Sequence, residues 1–305
     1  MSYDDYLKNE INKTNIFERF LEQIEDFSKY MTVDMIKNNI DPTSIEKKKL
    51  FLMSQKNLIK HTKIFFEEAG NPYYHLFETI INNENFRQVV NLNPFSNHSG
   101  SFSINRNTNK MICESQFIPN IDAMLVKVHE YAHGISFLIN PDYFFQKNEI
   151  LLYGEVISIF FELVSKEYIE KNFGFEHSKN IIKNNISVLL MGCNDILEHK
   201  DILKKLQSSN NISYKRFCQQ EAGYIYSAKK IINISIEEKL NYIYSNIIAL
   251  HLYCIYLNNK KYALNIAKKL IELASYDNDM AFDFINTVIF SEVSKSECAN
   301  LVKRK

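Results

Sequence analysis

Apolar residues recur at three- and four-residue spacing along most of this chain, a pattern that predicts a mainly α-helical protein. Ile16, Phe17, Phe20, Leu21, Ile24, Phe27 and Met31 form one such stripe over 16–31. A second helix is announced by Asp41-Pro42-Thr43-Ser44-Ile45-Glu46, where Asp41 or Thr43 can cap, Pro42 suits the first turn and Glu46 completes a capping box with Thr43. That helix should stop near Gly70, and a third is expected from about Tyr73 to Val90. Over 91–120 the texture changes. Two short alternating stretches, Ser101-Phe-Ser-Ile104 and Met111-Ile-Cys-Glu-Ser-Gln-Phe117, flank Asn105-Arg-Asn-Thr-Asn109, which reads as a β-hairpin. From Ile121 helical periodicity returns over 121–140, 148–171, 178–207, 214–231, 236–257 and 261–275. The pattern separates an N-terminal helical region, 1–90, from a region 91–305 that holds the β element (100–118), the helices 121–140 and 148–171, and the C-terminal helices.

Composition supports this picture and narrows the partners. The 305 residues include five prolines, the last of them Pro141, and seven glycines, so nothing of proline's kind breaks the helices of the second half. Thirty-six basic side chains balance 36 acidic ones, which removes the electrostatic case for a nucleic-acid or anionic-membrane partner. The stretch between Lys239 and Lys260 is long enough to span a bilayer, but Asn241, Ser245, Asn246 and His251 make a buried helix the better reading. The acidic, polar start Met1-Ser-Tyr-Asp-Asp predicts a cytoplasmic protein, and five widely spaced cysteines with no CxxC pair predict free thiols.

Chemistry concentrates at His129-Glu-Tyr-Ala-His133, an HExxH. Four residues apart on a helix, the two imidazoles stand one turn above each other and can close on one metal, with Glu130 beside its open position as general base. The flanking Met124, Leu125, Val126, Val128, Ile135 and Leu138 make this a largely buried helix, where two histidines and a glutamate are costly unless something pairs with them. Glu155, 22 residues after His133, lies where a returning antiparallel helix would bring a third ligand. Ser158 and Glu162 share its face and are expected to orient the histidines. Three protein ligands and one open position describe a hydrolytic Zn²⁺ centre, one ion per chain. Of the remaining histidines, His251 reads as a core residue, and His98, beside the Ser99-Gly100 turn, is the one to watch.

His129-Glu-Tyr-Ala-His133 followed by a Glu155-x-x-Ser158-x-x-x-Glu162 helix resembles the M3 family of zinc metallopeptidases, the thimet oligopeptidase and oligoendopeptidase F group. The approach Ile121-Asp122 to Glu130, the Ser99-Gly-Ser-Phe-Ser103 turn and the Met111–Phe117 stretch resemble that family too, in separate pieces over 95–165. The resemblance is to a short, divergent member. It implies a gluzincin-type catalytic domain with a small β element beside the HExxH helix, cleaving internal bonds of short peptides. It further implies that the strand around Cys113, Glu114 and Ser115 is a sheet edge to which an extended substrate adds. A family pattern Y-x-x-G-x-x-x-A-L matches Tyr242 to Leu250 with Ser245 in the glycine's place, which makes Tyr242 the first choice for a phenol on the oxyanion. Tyr244 is the second, and Tyr224 and Tyr226 are rivals. Two other readings stand beside this one: a dedicated intracellular protease of the ImmA/IrrE type that cuts one regulatory protein, and a non-catalytic helical interaction module with a vestigial zinc site, which Cys113 could close as a fourth ligand.

Overall fold

The computed structural model describes residues 52–90, 100–105, 110–115, 119–141, 154–175, 236–274 and 278–294, with shorter pieces around 22–29, 177–193 and 297–298. Eight α-helices are labelled here: α1 (Gln55–Ala69), α2 (Tyr73–Ile81), α3 (Ile121–Ile139), α4 (Gly154–Phe173), α5 (Ile236–Asn258), α6 (Lys260–Leu273), α7 (Asn278–Phe284) and α8 (Phe290–Glu292), the last two joined by a π-helical turn, Ile285–Ile289. Three strands, β1 (Phe86–Val90), β2 (Gly100–Asn105) and β3 (Lys110–Ser115), form a small sheet. The protein is therefore mainly helical, with a β element beside the HExxH helix α3, as the sequence predicts.

Local chemistry explains where the elements begin and end. Ser54 caps α1 by accepting from the Asn57 N–H at 3.1 Å, and the Gly70 N–H closes its end on the Phe66 and Glu67 carbonyls. This start corrects the longer helix expected from the Thr43–Glu46 signal, which itself lies outside the described residues. Leu52 is extended, bridging to Asn120, and the Met53 N–H donates to the Pro119 carbonyl, so no helix runs through them. α3 starts at Asn120, whose side chain accepts from the Ala123 N–H at 2.8 Å. The helices expected at 178–207 and 214–231 lie wholly or largely outside the described residues.

A larger correction concerns residues 82–90, which the sequence reading made the end of a helix. Here α2 stops at Ile81, and Asn83 turns the chain by accepting from the Asn85 N–H at 2.8 Å. Phe86–Val90 then pairs in parallel with β3, Phe86 opposite Met111 and Val90 opposite Ser115, while β2 pairs with β3 in antiparallel register, Phe102 opposite Cys113. The strand order is β1-β3-β2, so β3 is central. Because β1 precedes residue 91 and joins this sheet, and α1 and α2 pack on α3, the two sequence regions share one sheet and one core.

α4 runs between α3 and α5 and is buried on every side from Val156 to Phe161, which accounts for the nearly continuous apolar run there, broken only by Ser158. α5 is likewise buried from Ile243 to Tyr256, and no helix among the described residues is long and apolar enough to cross a membrane. Aromatic rings tie α1 and α2 to this layer. Phe66 stacks on Phe77 at 4.8 Å, Phe77 meets Tyr131 of α3 edge-on at 4.9 Å, and Tyr73 meets Phe161 of α4 at 4.9 Å. Such pairs add to burial, and a fully buried phenylalanine leaves a large cavity when removed. Phe66→Ala is expected to lower unfolding free energy by about 3–5 kcal/mol in urea titrations.

Candidate active site

The face of α3 that carries His129, Glu130 and His133 meets the N-terminal half of α4, which carries Glu155, Ser158 and Glu162. His129 Nε2 and His133 Nε2 lie 3.1 Å apart, and the Glu155 carboxylate stands 3.3 Å from the first and 3.6 Å from the second. Donors held at 2.0–2.1 Å in a tetrahedron stand about 3.3 Å from one another, and the two imidazoles and the nearer carboxylate oxygen for each, Oε2 for His129 and Oε1 for His133, stand at separations of that size. Among the described residues this is the one group of three or more His, Cys, Asp or Glu side chains able to hold a metal ion. The donor set of two imidazoles and one carboxylate fits zinc. The histidine side chains are 17% and 15% exposed and that of Glu155 is 35% exposed, so the cluster opens to solvent on the Glu155 side.

The surroundings prepare these groups as ligands. Glu162 Oε1 accepts from His129 Nδ1 at 2.5 Å, which leaves Nε2 turned toward the cluster. Ser158 Oγ donates to the Glu155 backbone carbonyl at 2.9 Å and to its carboxylate at 3.3 Å. Ser158 thus touches the third carboxylate, whereas the sequence reading had it orient a histidine. Burial works against the charged form of every member, and the balance differs at each. Burial acts to lower the His129 imidazole, but its hydrogen bonds to Glu155 and Glu162 outweigh this and hold it above its usual value. His133 is pushed down to about 4, by burial first, with the pull of Glu155 opposing and His129 reinforcing. Burial raises the Glu155 carboxyl, but the His129 hydrogen bond and both imidazoles bring it well below the carboxylate range. A neutral His133 and an ionised Glu155 are the forms that bind a metal.

Glu130 projects beside the cluster, 6% exposed, against β2. Burial pushes its carboxyl up to about 7, with the His129 charge opposing, Glu155 and Glu162 reinforcing, and a backbone hydrogen bond from the Phe102 N–H opposing. A carboxyl poised there exchanges protons near neutral pH. Tyr242, 38% exposed on α5, sits in the field of Glu162 and Glu155; burial of its hydroxyl and then those two charges hold the phenol in its protonated, donating form. Tyr244 is fully buried and stacks on Phe282, so of the two it is Tyr242 that faces the acidic cluster. Tyr224, Tyr226, His98 and Ser99 lie outside the described residues. His251 is a core residue, as expected, with Nδ1 2.8 Å from the Ile247 carbonyl.

The expected substrate edge at Cys113, Glu114 and Ser115 is contradicted. Their strand, β3, is hydrogen-bonded on both sides, with Gln88, Val89 and Val90 along one edge and Phe102, Ser101 and Gly100 along the other. Cys113 is fully buried, its thiol pushed up to about 12 by burial, and it takes no part in the metal-sized cluster. The family resemblance implied an edge here, and the parallel strand β1, which the sequence reading took for helix, makes this strand central. Among the described residues, β2 is the edge strand next to the cluster and pairs only with β3. Phe102 turns its N–H to Glu130, and backbone groups alternate along an antiparallel strand, so Gly100 and Ile104 present theirs on the same outer side. The signal available in the sequence was the pair of lone glycines, Gly100 in a strand and Gly134 in a helix, which mark a close approach of backbones.

No family model matches the chain, and no curated protein matches it by sequence. Solved structures do. PZ peptidase A, solved with an inhibitor, superposes with a TM-score of 0.65 at 14% identity, over 95% of this chain and 58% of that one. A protein described as an oligoendopeptidase F from Bacillus anthracis str. Ames gives 0.54 at 15% identity, over 89% and 55%. A peptidase structure from Chlamydophila abortus gives 0.59 at 13% identity, over 95% and 54%. The fold is therefore M3-like, as the motifs over 95–165 implied, and the chain spans little more than half the length of the proteins it matches. Because Glu162 fixes the His129 ring, Glu162→Ala is expected to weaken metal affinity by about 10–100-fold, measured by competition with a chromophoric chelator.

Proposed function

We propose that this chain is a zinc-dependent metalloendopeptidase acting on internal bonds of oligopeptides. The observation that carries the reading is the convergence of His129, His133 and Glu155 on a metal-sized triangle with Glu130 buried alongside. A zinc ion held by those three residues would supply Lewis acidity, polarising the scissile carbonyl and making water more acidic. Glu130 takes the proton of the attacking water and passes it to the leaving amine; a carboxyl near neutrality serves both steps. The Tyr242 hydroxyl, kept protonated, donates to the oxyanion as it develops. The outer edge of β2, in place of β3, offers backbone groups to an extended peptide, whose main chain pairs with it whatever its side chains. That mode of recognition suits short peptides and needs no charged surface, in keeping with a formal net charge of zero. The M3-like fold favours an oligopeptidase over a repressor-type protease, and three donors with an opening at Glu155 favour a hydrolytic over a closed structural site.

The test is a defined peptide pool incubated with the zinc-loaded protein, with fragments identified by mass spectrometry with and without chelator. Chelator-sensitive internal cuts are expected, and Glu130→Gln should keep stoichiometric zinc while losing about 10²–10⁴-fold in rate. A Glu130→Gln protein as fast as the parent refutes the mechanism. Tyr242→Phe removes only the donor, so kcat should fall about 10²-fold or more with KM little changed in steady-state kinetics on a peptide from that pool.

A further inference from the structure

β2 crosses α3 with a reciprocal pair of glycine contacts. A Cβ on Gly100 would stand 2.4 Å from Val126 Cγ1, 3.0 Å from Glu130 Oε1 and 3.1 Å from Glu130 Cγ. A Cβ on Gly134 would stand 2.7 Å and 2.8 Å from two ring carbons of Phe102 and 2.9 Å from Ile80 Cδ1. Each element thus lacks a side chain where the other presses closest, and the Phe102 ring occupies the space that Gly134 leaves. Between the two contacts β2 lies against the Glu130 side chain, whose Oε1 and Cγ border the Gly100 position.

From this we infer that Gly100 and Gly134 set the distance of β2 from α3, and that this distance, through the packing of β2 on the Glu130 side chain, positions the Glu130 carboxylate; Gly100 is a positioning residue. The inference rests on the reading of Glu130 as general base. The response to a methyl at position 100 follows from side-chain stiffness. Valine in a helix has one strongly preferred χ1 rotamer, so the Val126 methyl does not swing aside. The tightest contact being with Val126, β2 has to move off α3, and the Glu130 side chain, with three torsions, follows the strand that packs on it. A displacement of about 1 Å at such a group costs about 10²-fold in rate with little change in the ligands themselves.

The experiment compares the parent with Gly100→Ala, Val126→Ala and the double variant, reading zinc stoichiometry, Tm of the metal-free protein, and kcat and KM on a peptide that the parent cleaves. Gly100→Ala is expected to keep its zinc and to lose at least tenfold in kcat with KM within about twofold. Val126→Ala removes the stiff methyl, so the double variant should recover kcat to within about threefold of Val126→Ala alone, and the two Tm shifts should be non-additive. Unchanged kcat in Gly100→Ala, or equal loss of zinc and rate, overturns the inference. Where Gly100→Ala does not fold, the double variant carries the test, and a double variant that folds but stays as slow as Glu130→Gln overturns it. A parent that cleaves no peptide refutes the peptidase reading instead, and the Tm cycle still decides the contact: additive shifts overturn it.

Discussion

Two imidazoles and three carboxylates lie in the apolar seam between α3 and α4, where each charge is costly unless another compensates it. The rest of the site depends on how that cost is met. Glu162 is spent on one nitrogen of His129, Ser158 on Glu155, and the remaining donors turn toward a common point. Hydrogen bonds among His129, Glu155 and Glu162 favour the charged imidazole and the ionised Glu155 carboxylate and hold the arrangement together. A divalent cation would replace those contacts with shorter ones to the same atoms, so the residues need little rearrangement to bind it. The apolar girdle of α4 keeps the helix pair at one separation, and the aromatic layer from Phe66 to Tyr131 locks α1 and α2 behind it.

The small sheet makes a second contribution. A small sheet needs a packed apolar face to be stable, and this one has it: Met111 and Cys113 are buried, and the Phe102 ring rests against Gly134 of α3. In return it covers Glu130 on one side. Covering removes water and raises the carboxyl toward neutrality, while the Phe102 N–H keeps it from being buried without a partner. A group meant to give and take protons needs both, since burial alone would leave it permanently protonated and a fully hydrogen-bonded carboxylate would be too weak a base.

Where sequence reasoning succeeded and failed follows the range of the interactions concerned. The HExxH pair is legible because helical spacing alone places residues four apart on one face. Glu155 was legible because a carboxylate on an otherwise apolar helix demands a partner, and Glu162 for the same reason. β1 was missed: Phe86–Val90 alternates over only five residues, and its partner β3 lies more than 20 residues away, so nothing local separates it from the end of a helix. The edge that the family resemblance implied at Cys113, Glu114 and Ser115 fails because β1 occupies it. The choice between Tyr242 and Tyr244 was equally out of reach, because two residues apart on a helix point to different sides and only the packing of α5 on α4 says which side faces the carboxylates.

The amino-acid sequence by itself determined the helical class, the extent of the HExxH helix and the identity of the side chains that could hold a metal, since periodicity, capping and the cost of buried charge act within one or two elements. Tertiary structure alone decided which strand is an edge, which tyrosine looks into the site and how closely β2 approaches Glu130. Those depend on pairings between distant segments, and their outcome rests on differences of an ångström or two that no local pattern encodes.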